Sequence, residues 1–239
     1  HLPSQNPQVQ VLIGDGRNFM TQSQSKYDVI VSEPSNPWIT GVSNLFTTDY
    51  WKLAKSRLAE DGIFCQWAQL YELSQPNIKT LLRSFASVFP HTYVFAAEHL
   101  SSDVILVASH KPLPLDLLRL RANFRIPKLK AELHRAQIDS AEEVLADLLL
   151  TPDELWAFTT GAVLNTDDNA RIEFAAPRDL LGYMRHESSI PKVYSNEWPY
   201  GHFERYLTHH GLPFDAPPNW WKEEAGLPFE RRSVVYARL

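Results

Sequence analysis

Across residues 9–108 short apolar, β-rich runs alternate with stretches of helical spacing, and this alternation constrains the fold more than any other property of the chain. Val9-Gln10-Val11-Leu12-Ile13 closes on the turn Gly14-Asp15-Gly16, and Tyr27-Asp28-Val29-Ile30-Val31 stops before the proline-bearing segment 34–37. Residues 17–22 between them predict a short helix. Phe46, Tyr50, Leu53, Ala54 and Leu58 recur at near-helical spacing, and Asp61-Gly62 then turns into a third strand, Ile63-Phe64-Cys65-Gln66-Trp67. Ile78, Leu81, Leu82, Phe85 and Val88 mark the next helix, over 77–88. Thr92-Tyr93-Val94-Phe95-Ala96 and Val104-Ile105-Leu106-Val107-Ala108 follow with no helix between them, which predicts an antiparallel hairpin at one sheet edge. The repetition predicts an α/β fold: a largely parallel sheet with helices on its faces, its strands apolar because both faces are covered.

From residue 111 the character changes. Leucine, arginine and alanine dominate to about residue 160, and helix starts are well punctuated. Ser140-Ala141-Glu142-Glu143 fits a capping box, and Thr151-Pro152-Asp153-Glu154 repeats it with proline in the first turn and Gly161 as a stop. Beyond Pro191 the chain is rich in proline and aromatics, including Trp198, Trp220 and Trp221, and reads as an irregular packed tail. The expected organisation is residues 1–110 as an α/β unit and 111–239 as a mostly helical extension packed on it.

Charge removes one class of function. With 28 acidic against 23 basic side chains the net charge is −5, and no basic stripe exists of the kind a phosphate backbone requires. The single cysteine, Cys65, excludes an internal disulfide and a thiolate-rich metal site, and its apolar surroundings predict an inert buried thiol. His209-His210 has no accompanying carboxylate or cysteine cluster, so no metal is assigned. No run of 18 apolar residues is present.

Candidate chemistry gathers at strand ends, where open α/β sheets bind ligands. Glu33 follows the apolar strand 27–31 and precedes Pro34-Ser35-Asn36-Pro37. Its carboxylate can take a proton from an attacking amine or hold a cation; the plain alternative is a loop-solvating acid. Asp15, between two glycines, can accept from an exocyclic amine while a flat ring approaches the backbone at Gly16; Asp-Gly is also an ordinary turn. Gln66, near the end of the third strand, is directed to the same sheet edge. Asp15, Glu33 and Gln66 are expected to border one cleft.

Taken together these segments resemble the spermidine/spermine synthase family of polyamine aminopropyltransferases, in its bacterial spermidine-synthase-like branch. Gly14-Asp15-Gly16 is similar to the family's adenine-contacting turn, 27–37 to its catalytic strand and loop, Leu45-Phe46-Thr47 to its gate-keeping segment and 62–66 to the next strand. Asn165-Thr166-Asp167-Asp168-Asn169, with Glu173-Phe174 and Pro177-Arg178, resembles the tail of that branch. The resemblance implies a partial methyltransferase-like Rossmann sheet, its first two strands, glycine-rich loop and ribose-binding acid lying upstream of His1.

The implied activity moves an aminopropyl group from decarboxylated S-adenosylmethionine, a co-substrate and not a tightly bound cofactor, to a polyamine such as putrescine. Glu33 stands where the family places an aspartate base, Asn36 where it places a second aspartate that holds the far end of the amine, and Gln66 joins the amine site. The implied partners are a small-molecule polyamine and an adenosyl substrate, not nucleic acid, with homo-oligomerisation open. The implied location is a cytoplasmic domain, with membrane attachment through upstream segments an alternative. Two other readings stay open: an S-adenosylmethionine-dependent methyltransferase on the same scaffold, and a non-catalytic homologue.

Overall fold

A computed structural model of the chain describes residues 6–37, 39–70, 73–97, 103–136 and 138–184. The expected tail with Trp198, Trp220, Trp221 and His209-His210 lies outside the described residues. Eight α-helices and five strands follow in order among the described residues, with one 3-10 turn at Ser43–Leu45: α1 Gly16–Gln22, β1 Tyr27–Ser32, α2 Thr48–Arg57, β2 Leu58–Gln69, α3 Gln75–Val88, β3 His91–Ala96, β4 Asp103–Ser109, α4 Leu117–Asn123, α5 Pro127–Arg135, α6 Ala141–Ala146, β5 Leu148–Leu150, α7 Pro152–Phe158 and α8 Arg171–Met184. None of these helices is long and apolar enough to cross a membrane.

The fold is mixed α/β, with one five-stranded sheet in the order β1-β2-β4-β3-β5. Only β1 and β2 pair in parallel; β2 with β4, β4 with β3 and β3 with β5 are all antiparallel. The expectation of a largely parallel sheet therefore holds for the direction of β1, β2 and β3 but not for their pairing. The reason is local. A connection of only six residues forces β4 antiparallel to β3, and β4 is the member of that hairpin that docks on β2. The hairpin is thus internal, and the edge beyond it is taken by β5.

Strand β5 comes from the leucine run 148–150, which reads as helix in the sequence. Backbone pairing with Val94 and Phe95 overrides that propensity and buries all three leucines. The described part of the extension is thus built into the sheet as well as packed on it.

A second expectation fails at the other end. Residues 9–13 form no strand and are largely exposed, because none of the described strands lies beside them to satisfy their backbone groups. Val29 and Val31, on the face of β1 opposite Ile30 and Ser32, are likewise exposed, at 59% and 69%.

One sheet face carries the main core. Phe64 and Ala68 of β2 alternate inward, and α2 and α3 cover them with Trp51, Ala54, Ile78, Leu81, Leu82 and Phe85. Phe64 stacks on Phe89 with centroids 5.2 Å apart, and Trp51 meets Phe85 edge-on at 5.0 Å. Leu149, Leu150, Leu155, Ile172 and Ala176 join the same cluster. A smaller cluster, Tyr93, Leu117, Ala141, Leu145 and Leu148, covers the opposite face near β3.

Helix starts follow the sequence closely. Thr151 and Glu154 form a complete capping box, Ser140 accepts from the Glu143 amide, and Gly161 adopts φ +78 just past α7.

The expected turn at Asp61-Gly62 is instead absorbed into β2 as a register shift, Tyr27 pairing with Leu58 and Val29 with Ile63. A Cβ on Gly62 would lie 2.9 Å from Leu58 Cγ and 3.0 Å from the Tyr27 carbonyl. Because the carbonyl is backbone and Leu58 is buried, neither yields easily. Gly62→Ala should cost about 1–3 kcal/mol, read as a lower urea midpoint at unchanged slope.

Candidate active site

Asp15 is the N-cap of α1, accepting from the Asn18 amide at 2.7 Å through Oδ1. Its carboxylate is exposed, and the second oxygen leaves capacity for a further donor. A Cβ on Gly14 or Gly16 would meet nothing within 4 Å, so both glycines face open space. At its C-terminal end, α1 is fixed to α2 by Arg57, which donates to the Met20 and Thr21 carbonyls.

Glu33 emerges directly from the C-terminal end of β1. Pro34 and Pro37 are buried while Glu33 and Ser35 are exposed, so the prolines pin the loop and turn the carboxylate outward. Asn36 is half-buried, and its carbonyl accepts from the Ile39 amide at 3.1 Å.

Gln66 lies level with this strand end, paired in register with Ser32. Its side chain, however, is fully buried: it accepts from Trp51 Nε1 at 3.2 Å and donates to the Trp67 carbonyl at 3.2 Å. In this structure Gln66 is a core amide and does not open on a cleft. Alternation along β2 puts residue 66 on the same side as Phe64 and Ala68, under α2. Cys65, on the opposite side, is half-buried, and burial pushes its thiol up.

Two side chains connect Asp15 to the strand end that bears Glu33. The Tyr50 hydroxyl, on α2, donates to Ser32 Oγ at 3.1 Å, one residue before Glu33. Burial raises the Tyr50 pKa, and the charges of both Arg17 and Asp15 also act on it. Arg17, two residues after Asp15, forks onto both carboxylate oxygens of Asp167 and donates to the Asn44 carbonyl at 2.8 Å. That fork, opposed by burial and helped by a bond from Thr47, holds the Asp167 carboxyl below its ordinary range.

The segment expected to act as a gate is immobilised at the same place. Phe46 is fully buried, and its carbonyl accepts from Asn165 Nδ2 at 2.8 Å. Thr47 caps α2 by accepting from the Tyr50 amide and donates to Asp167 Oδ1 at 2.7 Å.

Arg17, Asp167, Thr47 and Tyr50 thus link the Asp15 turn to the Ser32 end of β1, while Gln66, level with Ser32, is buried under α2. Sequence reading passed over Arg17 and Tyr50, which look like ordinary helix residues. Only their contacts, up to 150 positions away in the chain, mark them.

Residues 1–113 match the spermine/spermidine synthase domain. A spermidine synthase of Dictyostelium discoideum is 35% identical over 86 residues, 36% of this chain and 30% of the relative. A polyamine aminopropyltransferase of Bacillus cereus is 30% identical over 92 residues, 38% of this chain and 33% of the relative. The chain spans about a third of the length of the curated relatives it matches. Among solved structures, a probable spermidine synthase from Corynebacterium glutamicum aligns with a TM-score of 0.48 and 18% identity, covering 67% of this chain and 55% of that one. Asp15, Glu33 and Asn36 all fall inside residues 1–113, the span that is similar to the spermine/spermidine synthase domain.

Proposed function

We propose that the protein containing this chain is an aminopropyltransferase that uses decarboxylated S-adenosylmethionine to extend a small amine. The observation that carries the reading is Glu33: an exposed carboxylate at the C-terminal end of a parallel strand, on a loop pinned by two buried prolines, within the matched domain. The amine nitrogen forms a bond to the sulfur-bound carbon of the aminopropyl group as that carbon's bond to sulfur breaks. The electron pair stays on sulfur, which neutralises the sulfonium and releases methylthioadenosine. The ammonium proton passes to Glu33, the general base. Asp15 receives the exocyclic amine of adenine on its uncapped oxygen, and the open space at Gly16 admits the ring.

Asn36 is neutral where a carboxylate would pair with a distal ammonium. Recognition of diamines is therefore weak, and Asn36→Asp should lower KM for putrescine by about tenfold or more, since a charged hydrogen bond contributes roughly 1.5–3 kcal/mol. Product formation from putrescine and decarboxylated S-adenosylmethionine, run beside a methyl-transfer assay on the intact protein, tests the reading. Methyl transfer without aminopropyl transfer would replace it with the methyltransferase alternative.

A further inference from the structure

Residues 165–173 lie far from Asp15 and Glu33 in sequence and contribute nothing to the chemistry just described. Yet they touch both sides of that neighbourhood. Asp167 receives the Arg17 fork next to the Asp15 turn, accepts from Thr47 at the start of α2 and donates its own amide to Asp49 Oδ2 at 3.0 Å. Asn165 accepts from the Thr48 amide at 2.9 Å through its carbonyl and donates to the Phe46 carbonyl. Glu173 accepts from the Ser43 hydroxyl at 2.6 Å. Every residue of 43–49 except Leu45 thus takes part in a bond to this strap or to Arg17, or caps one that does.

We propose that residues 165–173 are a latch that sets the geometry of the active site, with Asp167 as the positioning residue that holds the Asp15 turn against the start of α2. Asp167 is the only carboxylate among the described residues that Arg17 and Thr47 share. A planar guanidinium fork onto a carboxylate fixes orientation as well as distance. Tyr50, whose amide is capped by Thr47 and whose hydroxyl bonds Ser32, carries the constraint to the strand end before Glu33. The assignment of a catalytic effect rests on the function proposed above; the mechanical claim does not.

Amide exchange on the 239-residue chain tests the latch directly. Asp167→Asn should speed exchange at Phe19, Phe46 and Trp51, whose amides bond Asp15, Ser43 and Thr47, by about tenfold. Phe89 and Leu155, bonded within distant helix ends, should not change. Arg17→Gln, a milder change, should reproduce the effect at Phe19, and the double variant should add little to either single one. Equal acceleration at all five amides, no acceleration, or full additivity would each overturn the latch. In the intact protein, Asp167→Asn should raise KM for the adenosyl substrate more than it lowers kcat, and Asp167→Glu should partly restore it. Absence of turnover in wild type would remove the proposed function while leaving the exchange result to decide the latch.

Discussion

Glu33→Gln in the intact protein should lower aminopropyl transfer by about 10²–10⁴-fold and leave methylthioadenosine binding nearly unchanged. The substitution keeps the size of the side chain and removes only its capacity to take a proton. Glu33 is exposed, and its loop is held by Pro34 and Pro37, so the fold has little stake in its charge. Unfolding is checked by the urea midpoint, which should stay where it is. Loss of turnover at an unchanged midpoint identifies a chemical role. Full turnover would mean that another group accepts the proton and that Glu33 is a solvated loop acid.

Asn165→Ala should be the most destabilising of the changes considered, by about 2–5 kcal/mol. Asn165 is 1% exposed, and its amide uses both ends: Nδ2 donates to the Phe46 carbonyl and Oδ1 accepts from the Ile172 amide at 3.1 Å. Alanine strands both backbone groups where water does not reach them. Its backbone bonds, to Ser84 Oγ and from Thr48, remain available to either residue and do not offset the loss. Equilibrium urea denaturation measures the effect; a midpoint shift worth less than about 1 kcal/mol would show that the segment relaxes around the gap.

Elements defined by short-range pattern were legible. Strand β1 and helix α3 stand within a residue or two of the sequence expectation, because alternation and the i, i+3, i+4 stripe are local properties. Glu33 stands out by the same logic, as the acid that follows an apolar strand, and it is exposed at the end of β1. What escaped is non-local. Nothing in Leu148-Leu149-Leu150 announces a strand until β3 offers an edge. Residues 9–13 carry a strand pattern of their own, and only the resemblance, which puts the first two strands upstream of His1, announced that none of the described strands would stand beside them. Gln66 looked available for substrate because strand-end position is readable, whereas its side depends on which face α2 covers. Asp167 is visible in the sequence as part of the segment that resembles the family's tail, but its partners Arg17 and Thr47 lie 150 and 120 positions earlier, and no periodicity spans that interval.

The latch also orders events during synthesis. A ribosome delivers the chain from its N-terminus at about 5–20 residues per second, and domains settle as their contacts become available. The sheet core of β1 to β4 is complete in sequence by Ser109, but the Phe46 carbonyl and the β3 edge receive partners only when residues 148–172 emerge. For several seconds the nascent chain therefore holds an open strand edge and unsealed polar groups, the condition that invites off-pathway pairing with a neighbour. Long-range closure of this kind slows folding and makes the last third of the described chain the step that commits it.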